Sequence, residues 1–129
     1  MKPEQQRIAI AEACGWTQIS KGSHYDNAHK VYGEPPPSSV MRVPANRGHA
    51  CTELPNYLSD LNAMHEAESS AKIFHDNATF DLWCRHLFRA VEDCGLSGTT
   101  DRPLNRAIAK ATAAQRAEAF LRTLNLWTP

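Results

Sequence analysis

The stretch TAAQRAEAFLRTLNLWTP, Thr112 to Pro129, constrains the fold more than any other. Thr112 and Gln115 stand in the spacing of a capping box, in which each side chain satisfies an orphan amide of the first helical turn. Ala113, Ala117, Phe120, Leu121 and Leu124 then recur at helical spacing, so one face is apolar. Arg116, Gln115 and Arg122 fall on or beside the wet face. Asn125 suits a left-handed C-terminal cap, and Pro129 cannot continue a helix. Leu126 and Trp127 read as apolar anchors that fold back. A terminal helix of this kind must dock on a core built by the preceding residues.

Those residues supply three more helical patterns. Pro3 suits the first helical position, Glu4 complements the dipole and Gly15 is a stop, which predicts a helix over 3–14. Trp16–Ile19 reads as a short extended segment. A stripe of Tyr57, Leu61, Met64, Ala67 and Ala71 predicts a helix over 56–74. Phe80, Trp83, Cys84, Leu87, Phe88, Val91 and Cys94 make an amphipathic pattern over 79–94. The expected core is Trp16, Leu61, Met64, Trp83, Leu87, Phe88, Phe120, Leu124 and Trp127. Residues 103–111 read either as a helix begun at Pro103 or as a short strand over Arg106–Ala111.

Ser20–Pro55 is different. Gly22, Gly33, Pro35, Pro36, Pro37, Pro44, Gly48 and Pro55 erase any helical period. Loops this long in a compact domain are usually functional or disordered. Val40–Val43 alternates weakly, as a strand would, and Pro35–Pro37 suits stiff polyproline backbone. The fold class expected is α+β: one helix-dominated domain over 1–129, four helices, few short strands, and an irregular region over 20–55.

The 129 residues hold 14 Lys plus Arg against 14 Asp plus Glu, which disfavours nucleic acid as the main partner. No stretch approaches the roughly 18 apolar residues of a membrane span. MKPEQQRIAIAEACGW lacks the apolar core of a signal peptide, so a cytosolic protein is expected. Cys14, Cys51, Cys84 and Cys94 have no CxxC spacing and read as reduced, mostly buried thiols.

Two constellations carry chemistry. Glu68 lies inside the Leu61–Met64–Ala71 stripe, where a lone carboxylate must be paired or protonated. One reading is a structural ion pair, with Arg116 the candidate partner. The other is acid/base work together with His65. Ser69 stands where HExxH would need its second histidine, so no zinc motif exists there, and no cofactor or metal is expected. The second constellation is the irregular region, where Tyr25, Lys30, Tyr32, Arg42, Arg47 and His49 interleave charge with aromatic rings. Arginine or lysine suits phosphate and tyrosine suits a stackable base, so these six are the candidate ligand-binding residues. An ordinary solvated loop is the competing reading. No phosphate-binding G-x-x-x-x-G-K-[ST] loop, G-x-G-x-x-G turn or G-x-S-x-G elbow is present.

Three blocks resemble a family: IAIAEACGW (Ile8–Trp16), LPNYLSDLNAMHEAE (Leu54–Glu68) and ATAAQRAEAFLRTLNLW (Ala111–Trp127). They are similar to small proteins of tailed phages and prophages named for a phage "ABA sandwich" domain. The resemblance implies a phage origin and helix–sheet–helix layering, while Thr79–Cys94 departs by reading as helix. It assigns no catalytic residue. From that origin the expectation is a non-enzymatic accessory protein of the host cytosol, acting against host defence by sequestering a small nucleotide-type ligand, as a homo-oligomer. The alternatives are an anti-CRISPR-like inhibitor that binds a host defence protein, and a small hydrolase using His65 and Glu68.

Overall fold

The computed structural model describes residues 1–21, 30–36, 52–92 and 108–129. The structure is α+β and helix-dominated, as expected, with a small antiparallel sheet and, wholly within the described residues, four helices. They are α1 (Pro3–Ala13), α2 (Leu61–Ser70), α3 (Asn77–Glu92) and α4 (Ala113–Thr123). Residues 108–110 are also helical, which favours the helical reading of the segment before Ala111. The strands are β1 (Thr17–Lys21), β2 (Val31–Glu34) and β3 (Thr52–Glu53), in spatial order β1-β2-β3. Among the described residues no helix is long and apolar enough to cross a membrane.

The terminal helix is the hub. α4 packs on α1, α2 and most extensively on α3. Its capping box forms: the Gln115 amide N–H donates to Thr112 Oγ1 at 3.2 Å, and the Thr112 N–H to Gln115 Oε1 at 2.9 Å. Phe120 and Leu121 are fully enclosed, with Ala117 and Ala119 beside them. Small alanines at these positions let neighbouring backbones come close while Phe120 fills the space between.

Three helices stop in the same way. The residue after each C-cap is left-handed: Gly15 (φ 91°), Lys72 (φ 57°) and Asn125 (φ 57°). Paired amide bonds follow, Trp16 N–H to Ala11 O and Gly15 N–H to Glu12 O after α1, with equivalents after α2 and α4. This is the Schellman arrangement, which satisfies carbonyls that the helix leaves open.

The sheet shares the core with α1. Trp16, Val31, Leu54 and Tyr57 are buried with Ile10 and Ala11. The Arg7 guanidinium donates to the carbonyls of Leu54 and Pro55, tying α1 to the exit of β3. The β1–β2 register shifts by one residue between Thr17 and Ser20, at Gln18, whose φ is 50°. Gly33 lies in β2 beside this bulge. A Cβ there would meet Ile19, Leu54 and Trp16 side-chain atoms, each at 3.2 Å, so the side chains close over bare backbone.

Several expectations are corrected. The second helix starts at Leu61, not 56, because Tyr57–Ser59 form a turn and Asp60 caps the helix by accepting from the Asn62 and Ala63 amides. It ends at Ser70, because Lys72 leaves helical backbone. Leu61, at the first turn, is 45% exposed, and the buried face is Ala63, Met64, Ala67 and Glu68. The third helix starts at Asn77, with Asp76 accepting from the Ala78 amide and the Thr79 hydroxyl. Phe80 sits at the solvent margin, and Phe88, Leu124 and Trp127 are half-buried, at the rim of the core. Leu126 is exposed rather than an anchor, and Arg116 is buried rather than beside the wet face. Trp16, Met64, Trp83, Leu87 and Phe120 are buried as expected. Val40–Val43, Pro37 and Cys94 lie outside the described residues.

Candidate functional site

Of the six residues expected to bind ligand, Lys30 and Tyr32 are described; Tyr25, Arg42, Arg47 and His49 lie outside the described residues. Alternation along β2 sorts the side chains. Val31 and Gly33 point inward and are buried, so Lys30 and Tyr32 share the outer side, both half-exposed. Tyr32 stands opposite Ser20 on one neighbour and Glu53 on the other. Glu34 continues the same outer row and is exposed. This surface therefore offers one cation, one aromatic ring and nearby carboxylates.

The second constellation is resolved in detail. Glu68 of α2 is 0% exposed and Arg116 of α4 is 6% exposed. Arg116 Nε donates to Glu68 Oε1 at 3.1 Å and Arg116 Nη2 to Oε2 at 2.7 Å, a two-pronged ion pair across the helix interface. The guanidinium carbon also lies 5.0 Å from the centroid of the Trp83 ring. Burial pushes the Glu68 carboxyl above its ordinary range, and Arg116 pulls it back, with smaller help from His65 and the Trp83 indole. Trp83 Nε1 is buried and, among the described residues, makes no hydrogen bond of ordinary geometry, yet its N–H favours the ionised form of Glu68. Both carboxylate oxygens are thus engaged and shielded from solvent. His65 is exposed on the same helix, and Asp60 is occupied as the cap. This arrangement holds helices together; it does not present a carboxyl to a substrate.

Trp83 continues toward the surface. Phe80 stacks with it at 5.9 Å, and Phe74 meets it edge-on at 5.4 Å. Phe74 is 46% and Phe80 36% exposed, so an aromatic pair reaches solvent above the buried ion pair.

A further cationic cluster lies on α3 and α4. Arg89 is exposed and His86 half-buried on α3. On α4, Arg122 Nε donates to Glu118 Oε1 at 2.8 Å while its guanidinium carbon lies 4.8 Å from the Trp127 ring centroid. Burial, then Arg122 and Arg89, hold the His86 imidazole below its ordinary range, with Glu118 opposing. Reading along the chain misses this set, because its members come from two helices far apart in sequence. The discernible signal is the wet face of α3, where Arg85, His86 and Arg89 fall within one turn.

Among the described residues no group of three or more His, Cys, Asp or Glu side chains is placed to hold a metal ion. Comparison with family models, curated proteins and solved structures finds no match to this chain.

Proposed function

We propose that the chain is a small, non-enzymatic accessory protein of phage origin that sequesters an anionic, nucleotide-type ligand in the host cytosol. The origin rests on the resemblance of the Ile8–Trp16, Leu54–Glu68 and Ala111–Trp127 blocks. The observation that supports the ligand class is the shared outer side of β2, where Lys30 and Tyr32 put a cation beside an aromatic ring. Tyr25, Arg42, Arg47 and His49 would complete the surface, and a second copy of the chain would help enclose the ligand, since a small domain has little room for a deep pocket. Ligand that binds the native state raises the melting temperature. A panel of nucleotides should therefore shift the melt of the wild-type protein. Lys30→Ala, Arg42→Ala and Arg47→Ala should remove that shift yet leave the ligand-free melt unchanged, since their charge would serve the ligand rather than the fold. No shift with any nucleotide, from a chain monomeric at every concentration, would overturn the reading.

A second reading is a protein-binding inhibitor of a host defence system. The exposed Phe74–Phe80 pair favours it, since aromatic side chains are enriched in protein interfaces. The hydrolase alternative loses ground, because Glu68 is enclosed and both its oxygens are held by Arg116.

A further inference from the structure

We infer that the nucleotide read above as the ligand carries a guanine base, an assignment that rests on that reading: Tyr32 is the stacking platform, Glu53 accepts from the base edge, and Lys30 turns to the phosphate.

Strand register brings these groups together. Lys30, Tyr32 and Glu34 alternate with the buried Val31 and Gly33, so the three share one side of the sheet. Glu53 of β3 lies directly opposite Tyr32, and Ser20 of β1 lies opposite it on the other flank. The Leu54 N–H donates to the Val31 carbonyl at 2.9 Å, which makes Val31 and Leu54 a hydrogen-bonded pair. Tyr32 and Glu53 are then the neighbouring non-hydrogen-bonded pair, the kind whose side chains stand closest, with Cβ atoms about 4.5–5.5 Å apart. Tyr32 is half-exposed and Glu53 exposed, so a flat ligand has access to both. Lys30 and Glu34 sit two residues to either side of Tyr32, roughly 7 Å along the strand.

The carboxylates decide the base. A surface built for phosphate alone would not place Glu53 and Glu34 beside Lys30, because like charges across a contact select against the ligand. A carboxylate there is favourable only where the ligand offers it donors, since its ionised form accepts and cannot donate. Guanine presents a ring N–H and a neighbouring amino group. These two parallel donors match both oxygens of a carboxylate, as a guanidinium does. Adenine and cytosine present one amino group beside a ring-nitrogen acceptor. Uracil presents one N–H between two carbonyls, which a carboxylate repels. The Tyr32 ring favours no base over another, because every base has a π-face, so discrimination rests with Glu53. Lys30 supplies a point charge for the phosphate at the other end.

The test is calorimetric titration of the full chain with guanosine, adenosine, cytidine and uridine monophosphates at one pH and ionic strength. Guanosine monophosphate should bind about tenfold more tightly than adenosine monophosphate, the size of one two-pronged base contact, and uridine monophosphate should bind least. Glu53→Gln should bring the four together: guanosine monophosphate weakens about tenfold, and uridine monophosphate tightens as the repulsion goes. Glu12→Gln, at an exposed carboxylate on α1, should leave the order intact. Tyr32→Leu should weaken all four alike. Circular dichroism checks that each variant is folded, and the wild-type ranking needs no variant. Equal affinities, another base in first place, a preference that survives Glu53→Gln, or full binding by Tyr32→Leu would overturn the guanine assignment while leaving the nucleotide reading in place. Binding of none of the four would overturn that reading and the assignment with it.

Discussion

Arg116 reaches across from the terminal helix to clamp both oxygens of Glu68, at 3.1 and 2.7 Å, in a place that neither side chain shares with bulk solvent. The two partners are not equivalent. If the cation is removed, the carboxylate can take up a proton and become neutral. If the carboxylate is removed, the guanidinium stays charged, because arginine does not deprotonate in proteins. Glu68→Met should therefore cost more than Arg116→Met, with about 3–5 kcal/mol expected for the charge left unpaired. The double substitution should recover much of that loss. Urea unfolding of the four proteins closes the cycle. A larger loss from Arg116→Met would show that the Arg116 contacts to Trp83 and to the Ile108 carbonyl matter more than its charge.

The same pair sets a pH dependence. Burial raises the folded Glu68 carboxyl above the ordinary 4.5. A raised group contributes stability that is fully present below the unfolded value and lost as pH rises through the folded one. The stability of the wild type relative to Glu68→Gln should therefore fall as pH rises from about 4.5 toward neutrality. Denaturation at a series of pH values reads this difference directly. If it grew with pH, the attraction of Arg116 would outweigh desolvation.

Cys14 closes the last turn of α1, and its thiol donates to the Ala67 carbonyl at 3.7 Å. Burial pushes the thiol up to about 12. At pH 8 only about one molecule in ten thousand would carry the thiolate, the form that alkylates. Iodoacetamide should leave Cys14 unmodified in the folded protein and label it in urea, as peptide mapping would show. Cys14 is only half-buried, so labelling at the same rate in both conditions would show that its thiol is not held in the protonated form.

Lys72 follows the C-cap of α2 with φ 57°, a conformation that glycine adopts without the Cβ conflict. Lys72 is exposed, so little packing is at stake. Lys72→Gly should stabilise the fold by about 0.5 kcal/mol, seen as a higher urea midpoint at unchanged slope. A lower midpoint would mean that flexibility gained by the unfolded chain outweighs the relieved strain.

How much of this was legible depends on whether a signal is local. The Thr112–Gln115 box, Pro3, Gly15 and Asn125 are short-range signals, and the helices begin or end near them. Lys72 carries no such mark, since lysine has no preference for left-handed backbone, and the helix expected to reach 74 stops at Ser70. Tyr57 lies in phase with Met64, so the turn that separates it from α2 was read as helix. β2 and β3 are four and two residues long, and their pairing joins distant parts of the chain, which periodicity cannot reveal. The Glu68–Arg116 pair was readable because a carboxylate inside an apolar stripe demands a partner. Four of the six expected ligand residues fall outside the described residues, and the α3–α4 cluster becomes visible only once two helices are packed.

The bulge at Gln18 also bears on how molecules meet at high concentration. Among the described residues β1 is an edge strand, and its outward amides and carbonyls would otherwise repeat evenly, ready to recruit a strand from a neighbour. One left-handed residue breaks that repeat and twists the edge away. The opposite edge, Thr52–Glu53, offers two described residues and carries a charge. Among the described residues the sheet therefore offers no even, unbroken edge, so self-association through these strands would have to run through side chains rather than by polymerisation of their backbone.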